Sequence, residues 1–98
     1  GKRIAETGSL AAEMTLEQNK PNPFTTTTTI AYTLGSSGNA RISLYSADGR
    51  KLGVIVDADH AAGSYSTLFD ASFLAPGNYY YVLESLGSVK VQNMTVVR

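Results

Sequence analysis

The sequence predicts an all-β domain built from two packed antiparallel sheets, and three observations carry that prediction. Apolar residues recur with a period of two from Thr25 onward, the spacing at which successive side chains reach opposite faces of a strand. Clusters of Gly, Pro, Asn, Asp and Ser break the alternation at short intervals, and no interval carries the roughly ten-residue apolar period of a helix. Thr, Ser, nine Gly and six Tyr dominate the composition, which is the vocabulary of strands and turns.

The remaining composition narrows the function classes. A chain of 98 residues has room for one domain. Leu, Ile, Val and Phe together make 23 of these residues, just above the roughly 20% below which chains tend to stay disordered. Eight basic residues balance eight acidic ones, leaving no field to attract nucleic acid or an anionic membrane. No apolar run approaches the ~20 residues of a membrane-spanning helix. Without cysteine there is no disulfide framework, thiolate nucleophile or zinc-cysteine site. One histidine and no tryptophan leave little for catalysis, and the composition points away from an enzyme.

Taken in chain order, Gly1 to Ala12 is small, polar and aperiodic, so residues 1–12 are expected to be a flexible linker ahead of a domain at 13–98. The opening at Gly1, without an initiator Met or a signal peptide, reads as a piece of a longer protein. Leu10 to Gln18 also fits a helix capped by Ser9, but Glu13 and Glu17 would repel at i,i+4, which favours a short strand at Met14 to Glu17. In Asn19-Lys20-Pro21-Asn22-Pro23-Phe24 the two prolines remove two backbone donors, which excludes a central strand and predicts a stiff crossover pinned by a buried Phe24. Thr25 to Thr29 is of low complexity but β-branched, the start of a strand rather than of a mucin-like stalk. Thr26 to Leu34 then places Thr28, Ile30, Tyr32 and Leu34 on one face.

After Gly35 to Gly38, the run Asn39 to Ser46 turns Ala40, Ile42 and Leu44 inward and Arg41, Ser43 and Tyr45 outward. Asp48-Gly49 is a strong hairpin signal, because both residues tolerate left-handed geometry. Arg50 to Val56 returns with Leu52, Val54 and Val56 alternating, Asp57 to Gly63 reads as a polar loop, and Ser64 to Asp70 places Tyr65, Thr67 and Phe69 on one face. Leu74-Ala75-Pro76-Gly77 is a turn. Asn78 to Glu84 sets Tyr79, Tyr81 and Leu83 against Tyr80 and Val82. After Ser85 to Gly87, the last strand runs Val89, Val91, Met94, Val96, a parity slip that predicts a bulge near Asn93. Six strands and a short first one make a seven-stranded antiparallel Ig-like β-sandwich, without the Cys–Trp–Cys pattern of antibody domains.

Several local clusters invite a chemical reading. His60 with Ser64, Asp57 and Asp59 contains the residue types of a nucleophilic triad, but a triad needs a buried, oriented imidazole and an oxyanion pocket. Asp57, Asp59 and His60 begin like a calcium loop, but the later glycine and the bidentate Glu are missing. Both clusters are expected to be a solvated loop, with no metal and no cofactor. Tyr79-Tyr80-Tyr81 with Phe69 and Tyr65 suggests a sugar platform, yet alternation buries two of the three tyrosines and favours core packing. Asn93-Met94-Thr95 matches a glycosylation acceptor, but it falls inside a strand.

One ordered set of segments fits a family. Leu16-Glu17-Gln18-Asn19-Lys20-Pro21-Asn22-Pro23-Phe24, the Thr-rich strand, Ser43-Leu44-Tyr45 leading to Asp48-Gly49-Arg50, Ala62-Gly63, Leu74-Ala75-Pro76-Gly77-Asn78-Tyr79 and Met94-Thr95-Val96-Val97-Arg98 occur in this sequence. Together they resemble the type A C-terminal sorting domain of the type IX secretion system, related to the Ig-like domain of flagellar hook-capping proteins. Lys20 stands where the family usually has an aromatic, Thr25-Thr26 where it often has Asn-Pro, and Arg98 where Lys is commoner.

The resemblance implies a non-catalytic sorting signal. It implies a cargo domain N-terminal to residue 1, recognition by the type IX translocon and shuttle proteins, and passage through the periplasm to the outer membrane, the cell surface or the medium. It also implies a sortase-like protease acting near the domain boundary, for which Thr7, Gly8 and Ser9 offer an extended, small-residue site. Gly77, Tyr79, Met94, Thr95, Val96, Val97 and Arg98 would carry recognition. Asn19, Pro21, Asn22, Pro23, Phe24, Asp48 and Gly49 would shape the fold. Mechanistically, an exposed final strand is expected to pair with a receptor sheet, with Thr95 and Val97 giving specificity and Arg98 a charge contact; the same edge would allow a strand-mediated dimer. The alternative is a structural or adhesive Ig-like module retained on a surface or secretion-machinery protein.

Overall fold

A computed structural model of the chain describes residues 13–98, so the expected linker and its Thr7-Gly8-Ser9 segment lie outside the described residues. Seven strands follow one another: β1 (Thr15–Leu16), β2 (Thr27–Leu34), β3 (Gly38–Ser46), β4 (Lys51–His60), β5 (Gly63–Asp70), β6 (Gly77–Ser85) and β7 (Ser88–Val96). They pair antiparallel in a three-stranded sheet, β1-β2-β5, and a four-stranded sheet, β4-β3-β6-β7. The predicted all-β, seven-stranded Ig-like sandwich is what forms. Relative to the constant-type Ig arrangement, the fourth strand has moved to the second sheet, beside β3.

The core forms where the apolar faces of the two sheets meet. β2 contributes Thr28, Ile30, Tyr32 and Leu34, all buried as their alternation requires. Opposite stand Ala40, Ile42 and Leu44 of β3, Tyr81 and Leu83 of β6, and Met94 and Val96 of β7. Leu16, Phe24, Phe69, Ala71 and Leu74 complete the cluster. Each fully buried aliphatic side chain contributes about 1.5–3 kcal/mol relative to exposure, and the set holds the sheets together without a cross-link.

Two hairpins shape the four-stranded sheet. Leu86 (φ 51°) and Gly87 (φ 81°) form the two-residue β6–β7 turn, the pair of positive φ values that matches strand twist. The β3–β4 connection is longer. Gly49 alone is left-handed there (φ 92°), while Asp48 accepts a hydrogen bond from the Ser46 hydroxyl, so only one of the two residues uses the predicted geometry.

The structure corrects four further expectations. β4 does not stop at Val56 but runs on to His60, so Asp57 to His60 is strand and only Ala61 and Ala62 separate it from β5. The β3–β4 ladder shifts register between Ile42 and Ser43 and again between Leu44 and Tyr45. These shifts leave Val54 exposed, set Ile55 and Val56 against the core and bury Ser43, which alternation had placed outward. No bulge occurs near Asn93, because β6 and β7 pair in unbroken register from Gly77↔Val96 to Ser85↔Ser88. Val89 and Val91 lie on the solvent side of β7 instead. The final strand is also not a free edge along its whole length, as the contacts at the motif-bearing end show.

Candidate recognition surface

The crossover between β1 and β2 changes sheets within six residues. At its start Lys20 pairs with Thr29 of β2, its N–H donating to Thr29 O at 3.0 Å and its carbonyl accepting from Thr29 N at 2.8 Å. Asn19, buried, donates from Nδ2 to Pro21 O at 3.1 Å and to Thr28 Oγ1 at 3.0 Å, and accepts from Gln18 Nε2 at 2.7 Å. The Lys20-Pro21 and Asn22-Pro23 peptide bonds are cis. Past Pro21 the chain pairs with β7 instead. Asn22 Oδ1 accepts the Thr95 N–H at 2.9 Å, Phe24 N donates to Thr95 O at 3.1 Å, and Val97 N donates to Phe24 O at 2.9 Å. The two prolines carry no N–H to leave unsatisfied on this bend, and Phe24 sinks into the core at its end.

The same end of the sandwich gathers the other two distinctive segments. Gly77 (φ 151°) opens β6 directly opposite Val96, and Asn78 sits opposite Thr95, whose hydroxyl donates to Asn78 Oδ1 at 2.9 Å. Tyr79 returns its hydroxyl to Ala75 O at 2.6 Å, closing the turn before β6. Arg98 reaches into the β5–β6 connection, where Nη2 donates to the carbonyls of Ala71 at 3.0 Å, Ser72 at 3.4 Å and Leu74 at 2.9 Å. Three segments far apart in sequence (19–24, 71–79 and 94–98) therefore converge on one another.

This geometry reassigns individual residues. Met94 and Val96 are wholly buried and so belong to the core, while Thr95, Val97 and Arg98 reach the surface. The backbone groups of Thr95 and Val97 that would pair with a receptor strand are bonded to Asn22 and Phe24, and the Arg98 guanidinium faces the domain's own carbonyls. Farther along the same edge, Gln18 Nε2 donates to Asn93 O and Gln92 Nε2 donates to Leu16 O at 2.9 Å. Asp48 and Gly49 lie in the β3–β4 hairpin and are not part of the convergence. The Arg98–turn contact carries no sequence signal, since a turn offers only backbone carbonyls.

The His60 cluster is ordered rather than a solvated loop. His60 Nε2 lies 2.9 Å from Tyr32 Oη, and its ring stacks on Tyr65 with centroids 4.1 Å apart. Burial, then the neighbouring Tyr65, pushes the Tyr32 phenol above its ordinary pKa. Ser64 Oγ faces Thr33 Oγ1 at 3.4 Å, not the imidazole. Asp57 and Asp59 both accept from Asn39 Nδ2, and Arg41 lies 3.6 Å from Asp57. Among the described residues no group of three or more His, Asp or Glu converges as metal ligands do. Of the three consecutive tyrosines, Tyr81 is buried, Tyr79 packs against the core, and Tyr80 stacks on Tyr45 at 5.3 Å. The imidazole thus braces the point where the chain passes between sheets.

No curated protein and no solved structure matches the chain. A family model described as the secretion system C-terminal sorting domain matches residues 21–97, from the first crossover proline to the residue before Arg98. The matched span contains the three converging segments apart from Asn19, Lys20 and Arg98, and on that match the chain belongs to the secretion system C-terminal sorting domain family, the sorting signals of type IX secretion.

Proposed function

We propose that this domain directs a larger cargo, fused ahead of residue 1, through the type IX outer-membrane translocon, and that the machinery reads the end of the sandwich where the crossover, the start of β6 at Gly77–Tyr79 and Thr95–Arg98 meet. The observation that carries this reading is the convergence itself. The segments that mark the family in sequence touch one another in space, although 73 residues separate the bonded partners Asn22 and Thr95. A surface assembled from three segments exists only in the folded domain, which lets the machinery distinguish a completed export substrate from an unfolded one. Gly77 and Tyr79 shape that surface, Met94 and Val96 support it from the core, and Thr95, Val97 and Arg98 lie on it. Translocon and shuttle proteins are the partners. A sortase-like protease then cuts near Thr7-Gly8-Ser9 and passes the cargo to the cell surface.

The test is to fuse residues 1–98 to a periplasmic reporter in a host with type IX machinery and to locate the reporter. It is expected outside the cell, free of the domain. A reporter left in the periplasm would overturn the reading. An intact fusion held on the surface would remove the cleavage step and support a retained adhesive module.

A further inference from the structure

We propose that the Ala71–Leu74 turn is a preformed docking knob, with Phe73 the anchor that enters an apolar pocket on a protein of the export machinery and Arg98 the positioning residue that holds it. This rests on the sorting reading and names its contact. Single exposed apolar side chains are ordinary, and Phe73, 67% exposed, would be one of them if its turn were loose. The turn is instead bonded on both sides of Phe73. Ala71 N donates to Thr26 O at 2.8 Å, Ser72 N to Asp70 Oδ1 at 2.9 Å, and Leu74 N to Ala71 O at 2.9 Å. The Ser72 N–H, and after it the Ser72 hydroxyl, holds the Asp70 carboxyl below its ordinary pKa. Arg98 binds the carbonyls on both sides of Phe73, while Ala71 and Leu74 are buried beneath.

The Phe73 ring stands edge-to-face on Phe69, at 6.1 Å and 89°, which fixes its direction. A rigid aromatic displayed before binding loses little freedom on contact, and such anchors dominate interface energetics. All three carbonyl contacts come from one guanidinium nitrogen, Nη2, so a lysine ammonium, with its donors on a single nitrogen, replaces them in part.

The experiment measures delivery of the reporter fusion, with folding of each variant followed by thermal melting. Phe73→Ala is expected to lower delivery about tenfold, the scale of an interface anchor, without moving the melting temperature. Leu68→Ala, at an equally exposed position (70%) on β5, is expected to deliver normally. Arg98→Ala is expected to lower delivery, Arg98→Lys to lower it less, and neither to lower it further in the Phe73→Ala background. If Arg98→Ala melts below the assay temperature, Arg98→Lys carries that comparison. Normal delivery by Phe73→Ala beside a delivered wild type overturns the knob alone. Additive losses from Phe73 and Arg98 overturn the positioning role. A wild-type fusion that stays in the periplasm overturns the sorting reading, and the knob falls with it.

Discussion

Gly77 begins β6 at φ 151°, a conformation that residues with a Cβ rarely adopt, although a Cβ there would meet nothing within 4 Å. The constraint is therefore in the backbone and not in packing. Gly77→Ala is expected to cost about 1–3 kcal/mol of stability, read as a lower urea midpoint. Gly53, also with nothing within 4 Å and no such φ, provides the control, and Gly53→Ala is expected to be neutral or slightly stabilising. Tyr81 carries a different kind of constraint. Its buried hydroxyl donates to Glu17 O at 2.7 Å, and burial pushes its phenol from 10.0 up to about 12. Below pH 10 the phenol is neutral in the folded and unfolded chains alike, and its contribution is whole. Above that, the unfolded chain releases its proton first, so stability falls as the pH climbs toward 12. Tyr81→Phe is expected to flatten that alkaline fall in a pH series of urea melts. At neutral pH it costs about 1 kcal/mol, because Glu17 O loses its donor.

At the scale of elements, the crossover is a stitch between two sheets, and Asn19 is its knot. The side chain is 1% exposed and serves Pro21 O, Thr28 Oγ1 and Gln18 Nε2 together. Removing it takes away three hydrogen bonds of about 1 kcal/mol each, although Thr28 Oγ1 keeps its bond to Pro21 O at 2.9 Å. Asn19→Ala is therefore expected to lower stability by about 2–4 kcal/mol, whereas Lys20→Ala, whose pairing with β2 is through the backbone, is expected to change it little. This also explains which elements were legible in sequence. β2 was read correctly because one face is buried and its ladder with β5 is unbroken. β4 was misread because two register shifts turned Val54 outward and carried the strand through polar Asp57 and Asp59. β7 misled in the opposite way: Val89 and Val91 are apolar on a solvent face, so a regular strand imitated a bulged one. The motifs at 19–24, 77–79 and 94–98 were each visible, but their meeting was not, since period and spacing report on one strand at a time.

For the whole molecule, a surface made from three segments implies that recognition requires the fold, and a substitution far from that surface can test this. Leu83 is wholly buried at the centre of the sandwich, outside the crossover, the Gly77–Tyr79 start of β6 and Thr95–Arg98. Leu83→Ala leaves a cavity costing about 2–5 kcal/mol, against a total stability of about 5–15 kcal/mol for such domains. It lowers the melting point by roughly 10–30 °C at this chain length, without touching any of those segments. Export of the reporter fusion is then compared at two growth temperatures, one below the variant's melting point and one between that point and the wild type's. Delivery is expected to equal wild type at the lower temperature and to collapse at the higher one. A machinery that read the motifs as linear peptides would export the variant equally at both. Sustained delivery of a melted domain would therefore refute reading by shape, since unfolding pulls Asn22, Asn78 and Thr95 apart while leaving the order of residues intact.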